Sequence, residues 1–369
     1  MSRPRVLVAG LGDTGLLTAI HLSRDADVVG VSAKPAHVSG QELGLRLTRP
    51  DDWSRDYRIA YDRYHRLDDV RVEHGSLTGV DFDAREVHVL GADGDERTEP
   101  YDVLVISTGV TNGFWRRPDL ASSEEVEAAL RAEHDQIASA GSVIVIGGGA
   151  AAVSSAVNIA RTWPDKQVDL YFPGEHALPR HHPRVWPAHR AHLEDNGVGL
   201  HPGHRAVVPD GFDCDAITTD PVEFSTGQEP ATADAVLWTV GRVVPNTGWL
   251  PAELLTDDGF VRVDPDLTVP GHPGVFAIGD VAATDPLRTS ARNRADKLLA
   301  SNIRAQLAGK PLRAYRPPKA RWGSVVGPQD DGLTVFTASG RKMRFPAWST
   351  RVVLMDWITR RGIYKGVRS

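Results

Sequence analysis

Two short runs of small residues carry the chemistry that can be read first. Gly10, Gly12 and Gly15 follow the β-branched stretch Arg5–Ala9 and precede an apolar run to Leu22. Gly147, Gly148 and Gly149 follow Val143–Ile146 and precede a run from Ala150 to Ile159 that can wind as a helix. Glycine allows positive φ and close backbone approach, and a helix start offers unpaired N–H groups at a positive dipole end. Together these features hold a pyrophosphate. Two such sites in one chain of 369 residues point to two dinucleotides, a flavin and a nicotinamide, and so to electron transfer. A third feature agrees: Val275–Ile278 runs into Gly279-Asp280, where a carboxylate can accept hydrogen bonds from a ribityl hydroxyl. The helix after it, expected over Ser290–Leu307, can stabilise negative charge on a reduced flavin ring.

The elements that must position these residues follow in order. Val28–Val31 reads as the second parallel strand, with Ser32 where a dinucleotide fold commonly carries an acid for the ribose hydroxyls. The stretch Ala36 to His65 has no strong period and holds five arginines, which suggests a surface excursion near the cofactor with mostly solvated cations. Alternation from Val70 to Leu90, then a turn and Thr98–Tyr101, predicts a small antiparallel meander. Val103–Ile106 is a buried strand ending in Ser107-Thr108-Gly109, and Ala235–Val240 repeats that design before Gly241-Arg242. Between them, Ser122 and Glu125 form a capping box that opens a helix to about Ala140. Another helix is expected over Arg184–Asn196, stopped by Gly197.

Bulk numbers narrow the class. Hydrophobic content of 41% and charged content of 24% are those of a globular chain of about two domains. A single cysteine, Cys214, excludes an internal disulfide and a dithiol redox pair. His181, His182, His189 and His192 lack the accompanying ligands a zinc site needs, so no metal is expected. No signal peptide is apparent at the start, and a cytoplasmic protein is expected. Ser142 to Ala160 is uncharged over a length that could span a bilayer, but its glycine triplet fits strand, turn and helix instead. The net charge of −6 is uneven: residues 310–369 hold 13 Lys/Arg against 3 Asp/Glu, which leaves the first 309 at −16. That basic tail suits an anionic membrane surface, an acidic partner or an acidic face of the same protein.

The motifs GLGDTG at Gly10, STG at Ser107, VIGGGAAAVS at Val145, TVGRVVPN at Thr239 and VFAIGDVA at Val275 resemble, in order and spacing, the pyridine-nucleotide oxidoreductases with two dinucleotide-binding domains. The branch they resemble is the ferroptosis suppressor and apoptosis-inducing-factor group, related to type II NADH dehydrogenases. The resemblance implies an α/β fold with two Rossmann-like domains, the second inserted into the first, plus a small C-terminal module. FAD would bind residues 1–113 and 242–310, NAD(P)H residues 114–241, and 311–369 would form the basic module. It implies hydride transfer from NADH or NADPH to FAD, then electron transfer to a quinone or other small acceptor. Gly10, Gly12, Gly15, Lys34, Thr108, Gly109 and Asp280 match flavin-contact positions. Gly147, Gly149, Ala152, Ser154, Gly241 and Arg242 match the nicotinamide side, and Asp13, Thr14, Ser32, Arg46, Gly279 and Ala150 complete the cofactor-binding set.

Three departures stand out. Ser32 replaces the usual acid. Asp13 sits in a turn that prefers a neutral residue and is costly near a pyrophosphate unless it faces solvent or a cation. Ser154 replaces a Glu that in this family orients the nicotinamide, so Ser154→Glu is expected to speed flavin reduction. The basic stretch Thr289–Ala295 suggests an acceptor that is anionic or unlike a simple quinone. No catalytic residue is named, because hydride transfer asks no acid or nucleophile of the protein. Competing readings are a reductase of a protein carrier such as ferredoxin and a non-enzymatic flavoprotein or nucleotide sensor. NADH and NADPH remain open, with Glu175 placed to meet ribose hydroxyls and Arg180 a 2′-phosphate. Nucleic acid is not an expected partner. The apolar face of the tail around Val353, Trp357 and Ile358 could rest weakly on a membrane, pack on the flavin domain or join a homodimer.

Overall fold

A computed structural model of the chain describes residues 3–39, 43–113, 117–240, 243–284, 295–317 and 322–368. The helices used below are α1 (Asp13–Leu22), α2 (Leu43–Thr48), α3 (Pro50–Tyr57), α4 (Ser123–Ser139), α5 (Ala150–Thr162), α6 (Val185–Asp195) and α7 (Ala295–Leu307).

The β-branched runs build a seven-stranded sheet in the order Val275–Ala277, Val103–Ile106, Arg5–Ala9, Asp27–Ser32, Val70–Asp81, Glu86–Gly91 and Glu96–Pro100. The first five strands are parallel, with Val6 opposite both Val28 and Val103. Runs such as Val6–Ala9 are apolar on both faces because both faces are covered, and each fully buried Val or Leu contributes roughly 1.5–3 kcal/mol. α1 and α7 pack together on one face, joined by His21 Nε2 to Asp296 Oδ2 at 2.9 Å. The meander is present, but its first strand also pairs in parallel with Asp27–Ser32, so it extends the main sheet rather than standing apart.

A second sheet runs Gly199–Pro202, Gln167–Phe172, Ser142–Ile146, Ala235–Trp238 and Ile217–Thr218, with only the last pairing antiparallel. α5 is buried from Ala152 to Ala160, which explains why that stretch carries no charge: it is a core helix, not a membrane span. Among the described residues no helix is long and apolar enough to cross a membrane. α4 starts at the expected capping box, Ser122 Oγ accepting from Glu125 N at 3.1 Å and Glu125 Oε2 from Ser122 N at 2.7 Å. The architecture is thus two Rossmann-like units, the second inserted in the first. The chain crosses between them on Val110–Asn112 and Val243–Pro245, which pair as an antiparallel ribbon. Asn246 staples it, its side chain donating to Thr108 O at 3.0 Å and accepting from Thr111 Oγ1 at 2.8 Å.

Two segments differ from expectation. The described residues of 36–65 are not a solvated excursion: Ala36–Val38 pairs with Arg58–Ala60, α2 lies against α5, and Tyr61 and Tyr64 are buried. Their arginines are largely partnered, Arg46 with Glu133, Arg58 with Glu127 and Arg55 with Asp52 and Asp56. The segment lacks a period because it touches several units through different faces. The C-terminal residues, too, divide between the units. Val325, Val326 and Phe336 join the core around α5 and α6, whereas Tyr364 joins the core around α1. Between them lie the hairpin Leu333–Phe336/Lys342–Phe345 and a wide π-helix, Thr350–Ile363.

Candidate cofactor-binding site

The first loop is shaped by contacts that leave no room for side chains. Gly10 has φ +100°, and a Cβ there would lie 2.6 Å from Ser107 O. A Cβ on Gly15 would meet Gly10 O at 2.0 Å, so α1 packs directly on the turn. Ser107 braces it from below, donating to Gly10 O at 2.7 Å. Gly12 is different: it starts α1 without a side-chain cap, and a Cβ there would meet nothing within 4 Å. No side chain caps the first turn, and the space beside Gly12 is open, as an anion site at a helix start requires. Thr14 closes the other end, its Oγ1 lying 2.5 Å from where a Cβ on Gly279 would stand. That brings Gly279-Asp280 to the start of α1. Gly109, at φ +69°, also opens outward, and Thr108 Oγ1 donates to Asn246 O at 2.7 Å.

The second loop repeats the construction. Gly147 has φ +136° and a Cβ there would strike Thr239 Oγ1 at 2.4 Å, while Thr239 Oγ1 donates to Ile146 O at 2.7 Å. Gly149 starts α5 uncapped, again with nothing within 4 Å of a Cβ. Ala150 opens the helix and Ala152 is fully buried at the third small-residue position. Gly241 and Arg242 lie outside the described residues. Both loops fit a dinucleotide pyrophosphate.

The departures have local causes. Ser32 is enclosed: its hydroxyl donates to Lys34 O at 2.9 Å and lies 3.0 Å from the Tyr61 hydroxyl, which also reaches Leu11 O at 3.2 Å. Burial pushes the Tyr61 hydroxyl pKa above its usual value. Ser32 therefore braces the first loop. Lys34 Nζ donates to Asp119 O at 2.6 Å, and burial, with Arg117 and Arg46 nearby, lowers its pKa against the pull of Asp119. Arg46 pairs with Glu133 at 3.1 Å and lies 5.4 Å from the Trp53 ring centre. Burial raises the Glu133 pKa, with Arg46 opposing it.

Asp13 does face partners, His37 Nε2 at 3.1 Å and the Tyr364 hydroxyl at 3.2 Å. Ser154 is buried beneath α2, its Oγ accepting from Gly44 N at 3.3 Å, and a Cβ on Gly44 would stand 2.3 Å from Ser154 O. A glutamate has no space there, which reverses the expectation for Ser154→Glu. Glu175 and Arg180 both lie exposed after the strand Gln167–Phe172. Sequence reasoning missed His37, Tyr61, Asn246 and Tyr364, although Asn246 ends one of the recognised motifs. Of the four histidines weighed as ligands, His189 is buried and donates to Val185 O at 2.9 Å, burial lowering its pKa. Among the described residues no group of His, Cys, Asp and Glu is arranged to hold a metal.

Comparison with known proteins gives a family model, pyridine nucleotide-disulphide oxidoreductase, matching residues 4–301. Ferroptosis suppressor protein 1 of Xenopus tropicalis is 26% identical over 342 residues, covering 90% of this chain and 88% of that protein. A ferredoxin reductase for the CYP199A2 system from Rhodopseudomonas palustris superposes with a TM-score of 0.66 at 19% identity, covering 93% of this chain and 89% of that one. NDH2 from Plasmodium falciparum, solved with NADH, gives 0.61 at 13% identity over 76% of this chain and 64% of that one. These two superpositions establish likeness of fold.

Proposed function

The chain belongs to the pyridine nucleotide-disulphide oxidoreductase family, whose cofactors are FAD and NAD(P)H, and we propose that it passes electrons from NAD(P)H through FAD to a quinone-like small acceptor. When bound, FAD supplies the two-electron chemistry, taking a hydride from the reduced nicotinamide. The observation that carries the proposal is the pair of matching cradles, each an uncapped helix start braced by a Ser or Thr, on two sheets joined by one ribbon. Gly12 and the first turn of α1 would hold the FAD pyrophosphate, with Thr108, Gly109 and Asp280 along the flavin. Gly149 and the first turn of α5 would hold the nicotinamide nucleotide. Accordingly, residues 1–113 and 242–310 form the FAD unit and 114–241 the NAD(P)H unit, with the ribbon at the boundary.

The electrons leave directly to an external acceptor. Despite the family's name, the chain has one cysteine, Cys214, which is buried, with its thiol pKa raised by that burial. An internal dithiol relay is therefore impossible. A quinone-like acceptor is favoured by similarity to ferroptosis suppressor protein 1 along nine-tenths of the chain. It is also favoured by an exposed apolar face in the tail, Trp348, Val352, Trp357 and Ile358, where a lipid surface carrying such an acceptor, or a second copy of the chain, could rest. Anaerobic addition of NADH and NADPH should bleach the flavin, and a soluble quinone should restore its colour. Bleaching reversed by a ferredoxin but not by any quinone would replace the acceptor, and no bleaching by either nucleotide would sink the reading.

A further inference from the structure

Asp13 is the first residue of α1, one peptide beyond the open side of Gly12. An acid at that position favours the helix dipole, but the same charge repels an anion brought to the helix start. Its oxygen Oδ1 is held from two directions, by His37 Nε2 at 3.1 Å and by the Tyr364 hydroxyl at 3.2 Å. Both holders are themselves held. His37 Nδ1 lies 2.7 Å from the Tyr64 hydroxyl, and the Tyr364 hydroxyl lies 2.8 Å from Ser39 Oγ. With Nε2 donating to the carboxylate and Nδ1 accepting from Tyr64, every link has one donor and one acceptor.

The three rings pack edge to face, with centroids 5.4 Å apart for His37 and Tyr364, 5.9 Å for His37 and Tyr64, and 5.3 Å for the two tyrosines. All three are essentially inaccessible, whereas the Asp13 side chain is 34% exposed. The carboxylate is thus a partly open group fixed by a closed pocket. Buried polar chains of this kind hold their members in one geometry, because any rearrangement strands a donor or acceptor.

One member comes from the far end of the chain. Tyr364 is brought there by the last described residues: Val367 bridges Tyr64, His65 N donates to Gly366 O at 3.2 Å, and Arg368 Nη2 lies 2.6 Å from Asp68 Oδ2. We propose that this network makes FAD retention depend on docking of the C-terminal residues, with Tyr364 a positioning residue that keeps the Asp13 carboxylate off the pyrophosphate cradle. The inference rests on the assignment of the first loop to FAD. Without the Tyr364 hydroxyl the carboxylate loses one of its two described anchors and samples rotamers that carry its charge toward Gly12. The effect passes through that charge, so it vanishes when the charge is removed.

The test follows flavin release from purified full-length holoprotein, read as the rise of FAD fluorescence after dilution. Tyr364→Phe keeps the ring and deletes only the hydroxyl, and should release FAD about tenfold faster, a change of about 1.4 kcal/mol. Asp13→Asn should release no faster than the wild type, and the double variant should behave as Asp13→Asn does. Tyr364→Phe releasing at the wild-type rate would overturn the proposal. So would an equal acceleration by Tyr364→Phe in the wild-type and Asp13→Asn backgrounds, the signature of lost packing alone. A wild-type chain that neither carries nor binds FAD would overturn the assignment of the loop itself, and the network's role with it.

Discussion

A Cβ at Gly12 would enter open space, while one at Gly15 would run into Gly10 O, so equivalent substitutions in one loop should fail differently. Gly12 has φ −71°, a value any residue can take. Gly12→Val should therefore fold, with a melting temperature within a few degrees of the apo wild type, yet lose more than about a hundredfold in FAD affinity because the side chain fills the pyrophosphate's place. Gly15→Val should lose stability first. Calorimetry beside FAD titration separates them, and tight FAD binding by a folded Gly12→Val protein would refute the cradle. Ser154→Glu belongs at the same scale. Forcing a carboxylate between α5 and Gly44 costs about 3 kcal/mol or more through overpacking and desolvation, so the variant should melt lower and bleach no faster. Faster bleaching in stopped flow would show that α2 yields. The glycines were legible in the sequence because each answers a local backbone demand. The roles of Ser32 and Ser154 were not, because what encloses them, Tyr61 and Gly44, lies 29 and 110 residues away.

Strand starts need anchors as much as helix starts do, and the central strand of the second sheet has one in Asp234. Its Oδ2 accepts from Gly141 N at 2.9 Å, Ser142 N at 2.8 Å and Ser142 Oγ at 2.9 Å, tying Ser142–Ile146 to the neighbouring strand Ala235–Trp238. The Ser142 hydroxyl, with the two backbone amides, holds the carboxyl pKa below its usual value. A group whose folded pKa is depressed adds stability above its unfolded pKa and loses it as pH falls through the folded one. Asp234→Asn should therefore melt lower than wild type at neutral pH, and the difference should shrink as pH falls below about 4. A difference independent of pH would show that the carboxylate's charge is irrelevant to the anchor. Elements with a strict period or a cap, such as α4 and the parallel strands, could be read from sequence. The stretch 36–65 could not, since the faces of its described residues answer to α5, α4 and the tail by turns.

Across the whole molecule the order of motifs announced the two nucleotide units, but not how the tail joins them, because nothing local encodes a contact such as Tyr364 with Asp13, 351 residues apart. The tail's excess of basic residues is partly neutralised by acids outside it, where Arg368 meets Asp68 and Arg360 meets Asp56, while Arg344 with Asp331 and Arg360 with Asp356 pair inside the tail. The apolar face is not spent. Trp348 is 71% exposed and Trp357 66%, with Val352 and Ile358 also half-open to solvent. Of the face expected from sequence, Trp357 and Ile358 point outward, and the Val353 side chain lies outside the described residues. Tryptophans at an interface beside basic residues suit anionic lipid, yet one short face without a second anchor gives shallow, reversible binding. The acidic remainder of the chain repels the same lipid, so attraction depends on the tail lying within a Debye length of the surface, about 10 Å at 0.1 M salt. Sedimentation with anionic vesicles should thus recover the protein at low salt and release it at about 0.5 M, and replacing Trp348 and Trp357 together by Ser should weaken the low-salt binding. Retention at high salt would mean that the apolar face alone carries the contact. Failure to bind at low salt would leave the two tryptophans to another occupant, and a dimer seen by ultracentrifugation and broken by the same double substitution would identify it as a second copy of the chain.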